Sequence, residues 1–269
     1  MFFTLTYPII DPVVVQLGPL AIRWYALAYV AGIILGWWYG LYLCSHPRSK
    51  ITKVQFEDII VWATLGIILG GRLGYVLFYN TDYYFHNPLK IIAVWEGGMS
   101  FHGGLLGTII AMILYARYKK LSFFVVSDIM ACATPIGLFF GRLANFINGE
   151  LYGKVAIDLP WAMVFPRGGP FPRHPSQLYE AFLEGIALFT LLFIVIHVTK
   201  ARFRPGLISG IFLIFYGTSR FIIEYFREPD AQIGYLFDHT SMGQLLSVPM
   251  ILVGIIFIIY ARKRTQPMS

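Results

Sequence analysis

Seven long apolar segments recur along the chain and constrain its fold more than any other feature. A helix needs about 20 mostly apolar residues to cross the hydrocarbon core of a bilayer, where irregular backbone has no water to bond. The segments run over 22–43, 59–79, 101–115, 129–147, 179–198, 207–225 and 245–261. We therefore predict an all-α, polytopic membrane protein with about seven transmembrane helices.

Glycines are expected to disturb two of these spans. The second span contains Gly70-Gly71-Arg72, which we expect to interrupt its helix. The third span is short, and the glycines at 97, 98, 103 and 104 predict irregular backbone at its start.

Composition agrees with a chain whose solvent is mostly lipid. Hydrophobic residues make up 57% of the 269 residues and charged residues only 13%, against roughly 25% charged in soluble domains. We predict that residues 1–269 form a single integral membrane domain. The connection of about 148–178, between spans four and five, is rich in Pro, Gly and Trp and predicts a small ordered cap with turns.

The basic residues of the connections predict the orientation, because they favour short cytoplasmic loops. Twelve Lys and Arg follow spans one, three, five and seven: Arg48, Lys50, Lys53, Arg117, Lys119, Lys120, Lys200, Arg202, Arg204, Arg262, Lys263 and Arg264. Acids lie on the alternate loops: Asp82, Asp158, Glu228, Asp230 and Asp238. We place the N terminus outside, the C terminus in the cytoplasm and the cap outside. The net charge of +7 follows from this asymmetry, so no nucleic acid is expected as a partner.

Ionisable side chains inside the predicted spans are the main functional signal, because they are costly in lipid and usually face a cavity or a partner. Arg72 is open between a structural cation and a site residue, and Glu184 has no partner nearby in sequence. Arg220 and Glu224 are four residues apart on one helix face. They either neutralise each other or belong to a site.

A histidine among four glycines lies at an outer membrane edge, in the run GGMSFHGG of residues 97–104. Glycine lets backbone or ligand approach closely, and an imidazole can accept a proton near neutral pH. His102 is open between a structural residue and a proton acceptor.

Two further clusters carry arginine. In GRLANFINGE, residues 141–150, Arg142 and Asn145 share a helix face and could clamp a phosphate, since guanidinium matches its oxygens with two hydrogen bonds. A capped helix end with a buried hydrogen-bond network is the alternative. In YFREPD, residues 225–230, Pro229 is expected to end span six, and Arg227 is either a site residue or an interfacial arginine.

No metalloprotease, nucleotide-binding or serine-hydrolase motif is present in the sequence. Cys44 and Cys132 stand far apart, without the spacing of a metal site or disulfide framework. We expect no cofactor and no metal. A short echo links GRLGY at 71–75 with GRLAN at 141–145, and an ancient repeat and chance are equally open.

Four runs in order resemble the prolipoprotein diacylglyceryl transferase family: GGMSFHGGLLG at 97–107, GRLANFINGELYG at 141–153, RHPSQLYE at 173–180 and EYFREPDAQ at 224–232. Trp24-Tyr25 also matches, and the resemblance extends from residue 18 to residue 244. One departure is Ala144, where the family usually has glycine. A change this small should leave the flanking Arg142 and Asn145 in place.

The resemblance implies transfer of a diacylglyceryl group from phosphatidylglycerol to the lipobox cysteine thiol of a prolipoprotein, with release of glycerol phosphate. The implied partners are phosphatidylglycerol, prolipoprotein signal peptides and the bilayer, at the outer, periplasmic face of the bacterial plasma (inner) membrane. Family positions of importance correspond to His102 and Tyr25 as catalytic residues, and to Arg142, Asn145, Arg227, Glu150 and Gly153 as substrate-binding residues.

A transporter or lipid flippase is the rival class, because broken helices, intramembrane charges and an internal repeat would also serve it. A purely structural membrane scaffold is a third reading, but it leaves the histidine–glycine cluster without a purpose. Transfer activity in detergent separates an enzyme from a flippase, which needs two compartments.

The orientation predicts which loops a membrane-impermeant thiol reagent reaches in intact cells. With Cys44 and Cys132 replaced, we expect Asp158→Cys in the cap to be labelled and Lys119→Cys to be labelled only after the cells are opened. Labelling of position 119 from outside would refute the orientation.

Overall fold

The computed structural model describes residues 5–8, 10–18, 20–228, 235–236 and 240–263. Asp230, Asp238, Arg264 and the helix end expected at Pro229 lie outside these residues. The described chain is mostly helical. Its α-helices are α1 (Trp24–Cys44), α2 (Lys53–Phe78), α3 (Thr81–His86), α4 (Phe101–Tyr118), α5 (Phe123–Ile147), α6 (Ser176–Glu180), α7 (Leu188–Val198), α8 (Leu207–Ile223) and α9 (Met242–Lys263).

Shorter elements connect these helices. Three 3-10 helices cover Pro88–Ile92, Val94–Glu96 and Ala201–Phe203, and a π-helical segment, Ala181–Ala187, joins α6 to α7. Two antiparallel hairpins pair β1 (Val13–Leu17) with β2 (Leu20–Arg23) and β3 (Tyr235–Leu236) with β4 (Thr240–Ser241). The sequence analysis did not predict the hairpins.

Five helical segments are long and apolar enough to cross a membrane: Trp24–Cys44, Lys53–Phe78, Phe123–Ile147, Ser176–Val198 and Met242–Lys263. Leu207–Ile223 is a shorter apolar helix. A polytopic helical membrane protein is therefore confirmed. The count of seven spans stays a prediction, because it also requires α8 and the 18-residue α4 to cross.

The expected break in the second span is wrong. Helix α2 continues through Gly70, Gly71 and Arg72, and Gly103 and Gly104 lie inside α4 rather than in irregular backbone. These glycines serve helix packing: a Cβ added at Gly70 would collide with the carbonyl oxygen of Gly103. The irregular backbone is confined to Gly97 and Gly98, whose φ angles are +83° and +78°.

The chain forms two compact units, Met1–Tyr39 with Met130–Ser269, and Gly40–Ile129. In the second unit, α2 and α4 pack along their glycines, and Phe56, Ile59 and Tyr115 are fully buried. In the first unit, α8 and α9 approach in the same way, since a Cβ on Gly210 would lie 2.8 Å from the carbonyl oxygen of Gly254.

The α2–α4 contact predicts a large effect of one methyl group. We expect Gly70→Ala to lower the thermal unfolding midpoint in detergent, because the added carbon meets backbone and overpacking costs about 1–3 kcal/mol. Gly137→Ala is the matched control, because its added carbon has no neighbour within 4 Å and alanine favours a helix. Equal midpoints for the two variants would contradict this account of the packing.

Candidate functional site

Helix α5 carries Arg142 and Asn145 one turn apart, as the sequence predicted, and ends at Ile147. The chain then reverses through Gly149 and Leu151, whose φ angles are +61° and +56°. This turn brings Glu150 back onto the helix end, where the amide Nδ2 of Asn145 donates to its Oε1 at 2.9 Å. Asn145 and Glu150 thus form one polar pair.

Tyr25 joins this pair from the first turn of α1. The Asn145 side chain is a hydrogen-bond partner of its hydroxyl, and the carboxylate of Glu150 is an electrostatic neighbour. The Tyr29 hydroxyl lies 3.4 Å from the Tyr25 hydroxyl. The structure therefore brings Tyr25, Asn145 and Glu150 into one group, although Tyr25 and Glu150 are 125 positions apart in the sequence.

Arg142 has counter-ions that the sequence analysis did not assign. Its Nε and one terminal nitrogen donate to Oε2 of Glu184 at 3.3 and 3.2 Å, and the other terminal nitrogen lies 3.1 Å from Oε2 of Glu180. Both carboxylates are fully buried. The protein's own counter-charge to this guanidinium therefore comes from two glutamates of the following span.

The ion pairs continue beyond Arg142. Arg220 lies 2.6 Å from Oε1 of Glu180 and 2.6 Å from Oε1 of Glu224, and Arg227 lies 3.3 Å from the same oxygen of Glu224. Three arginines and three glutamates are therefore linked, and their formal charges cancel. Arg220 and Glu224 do pair with each other, and they also belong to this larger cluster, which we call the arginine–glutamate network.

Gly153 lies where no side chain fits. A Cβ there would be 2.6 Å from the Cβ of His174 and 2.8 Å from its carbonyl oxygen, and would also collide with the backbone of Phe226. Its N–H donates to the His174 carbonyl at 2.8 Å, and Gly153 forms an isolated antiparallel β-bridge with Arg227. Gly153 therefore ties the backbone that carries Arg227 to the rest of the unit.

The segment 148–175 is ordered around buried Phe165, whose ring packs on Tyr7, Phe146 and Tyr152. Turns and isolated bridges make up most of this segment, and its role as an external cap stays a prediction.

A chain of polar side chains links this segment to α6. Trp161 donates to the Tyr179 hydroxyl at 2.7 Å, and that hydroxyl lies 3.2 Å from Nδ1 of His174. Burial, reinforced by nearby Lys154, lowers the pKa of His174. The lowered pKa favours the neutral imidazole of His174.

His102 lies in the other unit, exposed on the first turn of α4. Ser100 caps this helix by accepting from the N–H of Gly103 at 3.2 Å. The exposed imidazole is open to a ligand.

Arg72 organises the loop that precedes His102. Its guanidinium donates to the carbonyl oxygens of Lys90 at 2.6 Å, Ile91 at 2.8 Å, Gly97 and Gly98, and it stacks on the Tyr84 ring. The side chain is buried. These contacts make Arg72 a structural cation rather than a site residue.

Sequence reasoning included Glu180 only as the last residue of the run 173–180, and it gave neither Glu180 nor Glu184 a role. The available signal was two glutamates four residues apart in an apolar segment, a spacing that puts both on one helix face. No group of three His, Cys, Asp or Glu suited to a metal ion occurs among the described residues.

Apolar helices around a buried network of ionised side chains define a polytopic membrane protein with an intramembrane polar site. The family model of prolipoprotein diacylglyceryl transferase matches residues 12–260. Phosphatidylglycerol--prolipoprotein diacylglyceryl transferase of Rhodospirillum rubrum is 57% identical over 100% of this chain and 98% of its own length. The proteins of the same name from Paramagnetospirillum magneticum and Azospirillum brasilense are 56% and 55% identical, over 98% and 97% of both chains.

The chain belongs to the prolipoprotein diacylglyceryl transferase family. It is a membrane transferase that acts in lipoprotein maturation, as the resemblance implied.

Proposed function

We propose that this enzyme moves the diacylglyceryl group of phosphatidylglycerol to the lipobox cysteine thiol of prolipoproteins and releases glycerol phosphate, as the first step of bacterial lipoprotein maturation. The names of the relatives mention both phosphatidylglycerol and prolipoprotein. The proposal rests on the position of Arg142. Its guanidinium is partly exposed inside an apolar helix, one turn from Asn145 of the Tyr25–Asn145–Glu150 group.

The reaction exchanges one bond at a glycerol carbon. The cysteine sulfur forms a bond to that carbon while the bond between the carbon and a phosphate oxygen breaks. The electron pair of the broken bond stays on the phosphate, which leaves as a monoester with more negative charge than the diester had. Donors and cations aimed at that oxygen stabilise the transition state.

Arg142 and Arg227 are the cations we assign to the phosphate, and Asn145 orients it. The hydrogen bonds to Glu184 occupy two of the five N–H groups of Arg142, so at most three remain for phosphate oxygens. The glutamates hold the guanidinium in place before lipid arrives, and a guanidinium already held in place needs little rearrangement as charge develops.

The thiol must lose its proton to attack, because the thiolate is the nucleophile. We assign His102 as the base, since it is exposed on the first turn of α4. Tyr25 relays a proton or orients the headgroup, Glu150 fixes the Asn145 amide, and Gly153 positions the segment that carries Arg227.

We further propose seven spans within a single domain of residues 1–269, with α4 and α8 completing the five long helices. The N terminus and the segment 148–178 lie outside, the C terminus lies in the cytoplasm, and the site opens toward the outer, periplasmic face of the plasma (inner) membrane. Both substrates then reach it sideways through the bilayer, so no water-filled entrance is needed.

Purified protein in detergent, incubated with phosphatidylglycerol and a lipobox peptide, tests the function directly. We expect the peptide mass to rise by one diacylglyceryl group and glycerol phosphate to appear in equal amount. An unmodified peptide, with lipid movement only between the two leaflets of vesicles, would instead favour a flippase.

His102→Gln should preserve the fold and lose most transfer, because glutamine cannot accept the thiol proton. Loss of a general base costs about 10²–10⁴-fold in rate. Turnover measured by mass, with unfolding midpoint as the folding control, checks this. Near-normal turnover would leave His102 as a structural residue of the glycine-rich turn.

Arg142→Lys should lose most activity and Arg142→Ala nearly all. Lysine keeps one charge but cannot reach two carboxylates and a phosphate at once. Removing a donor that stabilises developing charge costs on the order of 10²–10³-fold in rate. Turnover and the phosphatidylglycerol retained by the purified protein are the measurements.

Arg167→Ala is the matched control for these variants, since Arg167 is an exposed arginine of the same unit and should be dispensable. Arg72→Ala is the second comparison. A wild-type rate for Arg142→Ala together with a slow Arg72→Ala would mean that the other copy of the Gly-Arg-Leu motif binds the lipid.

A further inference from the structure

Two buried glutamates of the fifth apolar segment contact two arginines of the arginine–glutamate network. Glu180 is shared: its Oε1 accepts from Arg220 at 2.6 Å and its Oε2 lies 3.1 Å from Arg142. Glu184 accepts two hydrogen bonds from Arg142 through Oε2, and its Oε1 lies 3.8 Å from Arg220. Each glutamate therefore faces both guanidiniums.

The π-helical segment brings these two carboxylates to one place. Glu184 lies inside Ala181–Ala187, and Glu180 immediately precedes it. A π-helix bonds residue i to residue i+5, which widens the turn, and such segments are rare and frequently occur at functional sites. A regular α-helix would give the two side chains a different mutual angle.

Close contact with α5 completes the arrangement. A Cβ at Gly185 would lie 2.7 Å from the Cβ and 3.0 Å from the Cα of Phe139, which is one turn before Arg142. Because Gly185 has no side chain, α5 approaches the π-helical segment closely enough for Arg142 to reach Glu184.

Stability alone is a poor reason for this pair of carboxylates. Oε2 of Glu180 and Oε1 of Glu184 are buried and accept no hydrogen bond from the described residues. Both oxygens face a guanidinium, but burying these charges costs hydration free energy, and buried ion pairs can often be replaced by apolar residues without loss of stability. What the pair does provide is a fixed direction for the guanidinium of Arg142.

We propose that Glu180 and Glu184 are positioning residues of the transfer reaction, which hold the guanidinium of Arg142 in the orientation that meets the phosphate of the lipid donor. The proposal rests on the assignment of Arg142 to that phosphate. Neither glutamate touches substrate, so each acts only through the arginine it holds.

A double-mutant cycle tests this dependence, because it measures whether two residues act as one unit. Turnover and KM for phosphatidylglycerol are measured for wild type, Glu184→Gln, Arg142→Gln and the double variant, with unfolding midpoints beside them. We expect Glu184→Gln to lower kcat by about 10²-fold, because the guanidinium of Arg142 would lose its position, and a small misplacement can cost that much in rate. The change in KM should be smaller. In the Arg142→Gln background the same change should have no further effect on kcat.

Glu57→Gln is the matched control, since it removes an exposed carboxylate from α2 and should leave kcat and KM unchanged. An equal loss of kcat from Glu184→Gln in both backgrounds would overturn the proposal, and so would a wild-type kcat for Glu184→Gln beside a slow Arg142→Gln. A wild-type rate for Arg142→Gln would instead refute the phosphate assignment itself.

Folding failure also has a defined meaning. If Glu184→Gln does not yield folded protein, the same cycle is run with Glu180→Gln, with the same expected results. If neither variant folds, the carboxylates serve only to neutralise the arginines during folding, and the positioning role is wrong.

Discussion

Charges buried among membrane-spanning helices must be neutralised by the protein, because lipid tails offer neither water nor counter-ions. The arginine–glutamate network meets this constraint with three cations and three anions, contributed by α5, by the helical segment that begins at Ser176, and by α8 with the turn after it. Its balance compensates the charge of Arg142 inside an apolar unit. A cation that is stable before substrate arrives can then act on a phosphate without being assembled for it.

The network depends on close approach of backbones, and glycine provides that approach at defined places. Gly185 lets α5 reach the π-helical segment, and Gly153 lets the residues after α5 lie against the backbone of His174 and Phe226. Neither glycine needs to touch a substrate to be required. Both determine where an arginine lies: Arg142 in the first case and Arg227 in the second. Chemistry at this site therefore rests on residues that have no functional group.

The two Gly-Arg-Leu sequences illustrate how little a local motif says about a side chain's role. Arg72 and Arg142 both lie inside long helices and are both mostly buried. Arg72 donates to four carbonyl oxygens and orders the loop before α4, whereas Arg142 meets two carboxylates. The carbonyl oxygens around Arg72 are neutral acceptors of the backbone. The carboxylates around Arg142 are anionic acceptors, as the oxygens of a phosphate are. The difference lies in the neighbours, which the motif does not specify.

Hydropathy by itself determined the helical membrane class and placed the ends of the long helices to within six residues, since about 20 apolar residues can satisfy their backbone in lipid only as a helix. The motif residues Tyr25, Asn145 and Glu150 were also named from sequence, and the structure brings them together. Sequence did not determine the continuity of α2 at Gly70, the π-helical segment, the hairpins, or the pairing of Arg142 with glutamates 38 and 42 positions away. Those features depend on which helix faces which, and only the tertiary structure decided them, because a side chain's charge is compensated by whatever lies closest in space.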